Sequence, residues 1–134
     1  MVAERTSVRI RQTPTLEELI EQFPRSRFTV ADIKVGNKWL AITIDNKTLE
    51  ADSMILKTRG NPKIGATTLL YERACEIMVI LSRIMGKPIN YKFITGNPSM
   101  VAWALDDQRG KRVFDWDYIE TEGSYVMCLK RFEP

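Results

Sequence analysis

Apolar positions along this chain change their spacing several times, and each change marks the border of an element. Val8 and Ile10 alternate with Arg9 and Arg11, which predicts a short strand over residues 7–11. Leu16, Leu19, Ile20 and Phe23 then recur at helical steps. Thr15 and Glu18 have the spacing of a capping box at the start of that helix, and Pro24 stops it. Residues 28–35 and 39–44 are rich in β-branched and aromatic side chains, and Gly36-Asn37 between them is a hairpin turn signal. Asp45-Asn46-Lys47 makes a second turn, and residues 49–57 read as the third strand of the meander.

From about Ala66 the period becomes helical: Leu70, Ala74, Ile77, Met78, Leu81 and Ile84 form one stripe, with Glu72, Arg73, Glu76 and Arg83 opposite. Gly86 followed by Lys87-Pro88 ends it. Residues 89–95 form a strand; Asn97 then caps a second helix that starts at Pro98, reaches about Gln108 and ends near Gly110. Residues 113–121 alternate Phe114, Trp116 and Tyr118 against Asp115 and Asp117, predicting a strand, and Glu122-Gly123 turns it into a closing strand over 125–132. The order is β-α-β-β-β-α-β-α-β-β. It predicts an α+β (mixed α/β) fold: one domain over residues 1–134, a mixed, mostly antiparallel twisted sheet, and helices on both faces.

Composition narrows the chemistry. There is no histidine, which excludes a Ser-His-Asp or Cys-His nucleophile and any imidazole metal site; no metal is expected. Cys75 and Cys128 are too few for a disulfide framework and read as reduced, largely buried thiols. No apolar run, Ile77 to Leu81 among them, approaches the roughly 20 residues that span a bilayer. The first eleven residues hold no apolar signal core. The expectation is a cytoplasmic chain without a membrane partner. Twenty basic against 17 acidic residues leave a net charge of +3, which tolerates an anionic ligand but disfavours a nucleic-acid role. Arg5, Arg9, Arg11, Arg25 and Arg27 read as a solvated basic surface.

The segment Thr58-Arg59-Gly60-Asn61-Pro62-Lys63-Ile64-Gly65 leads from a strand into the longest helix. A turn at a helix N-terminus aims free amides and the positive dipole end at one spot, which suits phosphate oxygens. Gly60 and Gly65 permit close approach, Arg59 and Lys63 add charge, and Thr67 and Thr68 offer hydroxyls. The alternative is a plain connector with surface charge. Gly60-x-x-x-x-Gly65-Ala66-Thr67 also fits a P-loop frame, but alanine stands where the phosphate-reaching lysine belongs. Glu50 and Asp52, two apart on a strand, share a face and could hold and deprotonate an amine; Asp115 and Asp117 repeat the pattern. Either pair is otherwise a solvated acidic edge. Trp39, Trp103 and Trp116 read as core or cleft lining.

Three features resemble the GNAT superfamily of N-acetyltransferases: the opening Ser7-Val8-Arg9-Ile10-Arg11 with its capped helix, Arg59-Gly60 through Gly65-Ala66 entering the helix with Leu69-Leu70, and a strand ending at Asn97 before a final hairpin. The resemblance implies acetyl-CoA, or another acyl-CoA, as cosubstrate in a splay between the fourth and fifth strands. It implies pyrophosphate on the Arg59, Gly60, Asn61, Lys63, Ile64, Gly65, Ala66 and Thr67 loop, and pantetheine along the Leu56–Lys57 backbone and beside Asn97. Glu50 would be the base acting on a small-molecule or peptide amine, and a homodimer is left open. The tyrosine acid of many members would fall near Ala104, beside Trp103, which leaves Tyr118, Tyr125 or solvent as the proton donor. A catalytically inactive relative that binds protein or nucleic acid is the alternative.

Overall fold

Alternation of side chains across strands dictates which residues the sheet buries. The computed structural model describes residues 5–10, 26–105 and 113–134. β1 (Arg5–Ile10) runs parallel to β2 (Ser26–Val35), and β2 continues antiparallel through β3 (Lys38–Asp45) and β4 (Glu50–Lys57). Ala31, Ile33 and Val35 of β2 and Leu40, Ile42 and Ile44 of β3 are buried on one face; their neighbours along each strand point the other way. Gly36 makes the β2–β3 turn at φ 62, and a Cβ there would lie 3.0 Å from the backbone nitrogen of Lys63. Only glycine allows that contact, which docks the hairpin on the loop before the first described helix.

That helix, α1 (Ala66–Met85), follows the predicted stripe: Leu70, Tyr71, Ala74, Ile77, Met78 and Leu81 are buried. Gly86 ends it in the left-handed region, its N–H donating to Arg83 O and that of Lys87 to Ser82 O. β5 (Ile89–Thr95) then runs parallel to β4, α2 (Pro98–Leu105) follows, and β6 (Tyr118–Glu122) and β7 (Tyr125–Phe132) close the chain. The seven described strands lie in the order β1-β2-β3-β4-β5-β7-β6, with β1–β2 and β4–β5 parallel and the other pairs antiparallel. The mixed, mostly antiparallel α+β sheet is as the element order predicts. No helix among the described residues is long and apolar enough to cross a membrane.

One expectation changes, and another is left aside. The two described helices pack together: Tyr71 of α1 stacks on Trp103 of α2 at 4.6 Å, and both rings meet Phe93 of β5. The helix expected over residues 16–23, together with Arg11, Arg25, Gln108 and Gly110, lies outside the described residues. The strand expected from Val113 begins only at Tyr118. Asp115 takes φ 49, and Phe114 and Trp116 leave the alternation to enter the core, where they stack at 4.3 Å. Phe114 is 1% exposed and Trp116 donates from Nε1 to Ala104 O at 3.1 Å, whereas Tyr118 remains 49% exposed. Burial of two large rings outweighs strand pairing for this segment. Both cysteines are free; burial raises the Cys75 thiol to about 12 and Cys128 to about 11, so both stay protonated at neutral pH.

The docking of this segment predicts unequal costs for its aromatic residues. Phe114→Ala should destabilise by about 3–5 kcal/mol, while Tyr118→Ala should stay within about 0.5 kcal/mol of the parent. Urea titration measures both; equal losses would restore the continuous strand.

Candidate functional site

β4 and β5 start as neighbours and then separate. Glu50 pairs with Asn90 and Ala51 with Tyr91, and pairing stops there although β4 continues to Lys57 and β5 to Thr95. The cause lies in side-chain volume on the helix side. β5 carries Tyr91 and Phe93, which stack on Phe114 and Trp116 toward β7; β4 offers only Ala51, Ser53 and Ile55. The aromatic rings hold β5 on one side and nothing of comparable size draws β4 after it. A groove of about 860 Å³ opens in the wedge.

The N-terminus of α1 faces this groove. Gly65 takes the N-cap position at φ 74, and no side chain caps the helix. Ala66 N–H turns back to Lys63 O at 3.2 Å, while Thr67 and Thr68 N–H meet no acceptor among the described residues. Lys38 Nζ donates to Thr67 Oγ1 at 3.0 Å, and Trp103 Nε1 donates to Thr68 Oγ1 at 3.1 Å. Both hydroxyls therefore accept from the protein and keep their own protons for a ligand. Lys38, Lys57 and Lys63 line the groove, and among the described residues no carboxylate does. Amides, hydroxyls and lysines near a helix N-terminus are the chemistry that suits an anion.

Of the predicted cofactor residues, Lys57, Lys63, Ile64, Gly65, Ala66, Thr67 and Asn97 line this groove. Leu56 does not: it shares the opposite face with Trp39 and is 50% exposed. Arg59, Gly60 and Asn61 also lie outside the groove lining, in exposed positions. Asn97 caps α2, its Oδ1 accepting from Ser99 N at 3.0 Å, which leaves its amide nitrogen for other partners.

On the other face of the sheet, Glu50 and Asp52 line a second groove of about 690 Å³ with Asp45, Asp117, Lys92 and Arg131. A smaller hollow lies between the two: it shares Thr43, Asp52 and Lys92 with the groove of Glu50 and Asp52, and Ser53, Met54 and Ile94 with the groove before α1. Asp115 and Asp117 do not act as a pair; Asp117 accepts from Arg131 N at 2.7 Å and Asp115 lies on the bent segment. Tyr118 donates to Glu120 Oε2 at 3.2 Å and lines the acidic groove. Tyr125 covers Gly96, where a Cβ would meet its ring at 2.6 Å. Neither tyrosine is among the residues lining the wedge. Trp103 and Ala104 are buried, and Trp103 forms part of the groove wall. Among the described residues no group of three His, Cys, Asp or Glu side chains could hold a metal ion.

Sequence reasoning passed over Lys38, Ser53, Tyr71 and Tyr91. Ser53 hydrogen-bonds Tyr91 through their hydroxyls, and the Tyr71 hydroxyl interacts with both. The available signal was a hydroxyl at a core-facing position, since Ser53 alternates with Ala51 and Ile55. Comparison with protein-family models, curated proteins and solved structures finds no match in any of the three.

Asp45, at the rim of the acidic groove, carries a pH-dependent part of the stability. Arg27 binds it with two hydrogen bonds of 2.9 Å, and with the amides of Lys47 and Thr48 this holds its carboxyl at about 2. A lowered carboxyl stabilises the fold above its ordinary value near 4 and loses that contribution as pH falls toward 2. Asp45→Asn should therefore lower Tm at pH 7, with the gap to the parent closing between pH 4 and pH 2. A gap unchanged across that range would contradict the assignment.

Proposed function

We propose that the protein is an acyl-CoA-dependent N-acyltransferase of GNAT type, moving an acetyl or related acyl group to an amine. The observation that carries this reading is the divergence of β4 and β5 beside the uncapped N-terminus of α1. The resemblance in sequence calls for a ligand in that gap. The groove supplies what such a ligand needs: amides, hydroxyls and lysines for pyrophosphate, free strand edges for the amide-bearing arm, and apolar Met54 and Ile94 at the far end. When bound, the cosubstrate supplies the activated thioester.

The acceptor would enter from the acidic groove. Glu50 and Asp52 share that face, and Asp52 is the one that also lines the connecting hollow. Glu50 attracts and desolvates the ammonium, and Asp52 with water takes its proton, so the neutral nitrogen can attack. Lys92 and Arg131 beside them suit a carboxylate or phosphate on the same acceptor. A second reading, a relative that binds the ligand without turning it over, draws support from Trp103 and Ala104. Trp103 commits its N–H to Thr68, and Ala104 has no proton to give.

Calorimetry with CoA and acetyl-CoA tests the reading. Binding in the micromolar to sub-millimolar range is expected, and no heat at millimolar ligand would retire it. Lys38→Met should weaken CoA binding roughly tenfold, as expected for one lost charge-assisted contact. The loss should shrink with added salt, because a screened charge contributes less. Release of free thiol from acetyl-CoA with a panel of primary amines separates catalysis from binding alone.

A further inference from the structure

Three hydroxyls meet where the two grooves join. Ser53, Met54 and Ile94 are the side chains that line both the connecting hollow and the wedge, and Ser53 is the polar one. Behind it stands Tyr91, bonded hydroxyl to hydroxyl, and Tyr71, 1% exposed, which also borders the wedge. Two tyrosines buried in an apolar aromatic cluster are a costly way to fill volume that phenylalanine would fill as well. Among the described residues their hydroxyls find partners in each other and in Ser53.

We infer that the Ser53 hydroxyl, oriented by Tyr91 and Tyr71, donates the hydrogen bond that holds the acyl oxygen of a bound thioester and takes up the charge developing there. This rests on the acyltransferase reading of the same site. An acyl group arriving from the lysine-lined side and an amine arriving from the acidic side can meet only at the junction, and a neutral hydroxyl there suits the carbonyl oxygen. Ser53 neither gains nor loses a proton. It donates while the amine nitrogen bonds the carbonyl carbon and the carbonyl pair moves to oxygen. The pair returns as the carbon–sulfur bond breaks; its electrons leave on sulfur, which takes the proton shed by the amine. A donor already fixed in place stabilises such charge without the reorganisation that solvent would need.

The two tyrosines act as positioning residues. Burial raises Tyr71 to about 12 and Tyr91 well above its ordinary value. Both stay neutral through the physiological range, so each can only orient its neighbour and cannot place a second negative charge beside the acyl oxygen.

The test compares ligands and needs no identified acceptor. Acetyl-CoA labelled with carbon-13 at the carbonyl and CoA itself are titrated into the parent protein, Ser53→Ala, Ser53→Thr and Tyr91→Phe. Calorimetry gives the affinities and isotope-edited infrared spectroscopy the carbonyl stretch. The parent should bind acetyl-CoA roughly 3- to 10-fold tighter than CoA, the worth of one hydrogen bond, with the stretch shifted to lower frequency. Ser53→Ala should lose both effects while still binding CoA, Ser53→Thr should keep them, and Tyr91→Phe should retain part. If the parent binds CoA yet shows neither preference nor shift, this inference fails and the acyltransferase reading stands. If neither ligand binds, both fail.

Discussion

Aromatic stacking on one side of β5 governs the rest of the architecture. Tyr91 and Phe93 lie within ring contact of Phe114 and Trp116, and Phe93 also meets Tyr71 and Trp103. Such pairs stabilise beyond their buried area and fix ring geometry, so β5 is committed to β7, α1 and α2 before β4 can claim it. The cost is an unfinished parallel pair. Strand edges left unbonded are normally a liability; here they face a groove whose other walls are a helix N-terminus and three lysines.

Much of this architecture is legible in the sequence because it depends on local chemistry. The meander follows from β-branched runs broken by Gly36-Asn37 and Asp45-Asn46-Lys47, and α1 from a stripe closed by Gly86. Asn97 announces α2 by the capping rule and performs it. Lys63 to Thr67 stand out in the sequence for the same reason, and they line the groove before α1.

What stayed hidden depends on distant partners. Phe114 and Trp116 alternate with aspartates as strand residues do, yet their rings are drawn into a core built by α1, β5 and α2, which no local window contains. Lys38 reaches Thr67 across 29 positions of chain, and Ser53 meets Tyr91 across 38. Leu56, whose backbone the resemblance places beside pantetheine, turns its side chain to the face shared with Met54 and Asp52, as alternation requires. Separation of the grooves by the sheet likewise could not be read before the strands were ordered. It sets three lysines before α1 apart from a groove that mixes Asp45, Glu50, Asp52 and Asp117 with Lys92, Lys130 and Arg131.

Amide hydrogen exchange, followed residue by residue with and without CoA, tests the open wedge most directly. Rapid exchange is expected along the unpaired edges of β4 beyond Ala51 and of β5 beyond Tyr91, beside slow exchange where β4 bonds β3. Added CoA should slow those edges and the amides of Thr67 and Thr68, leaving β6 unchanged. Edges already protected in the free protein as strongly as the β3–β4 ladder would mean that the two strands are closed together, and the cleft with its function would go.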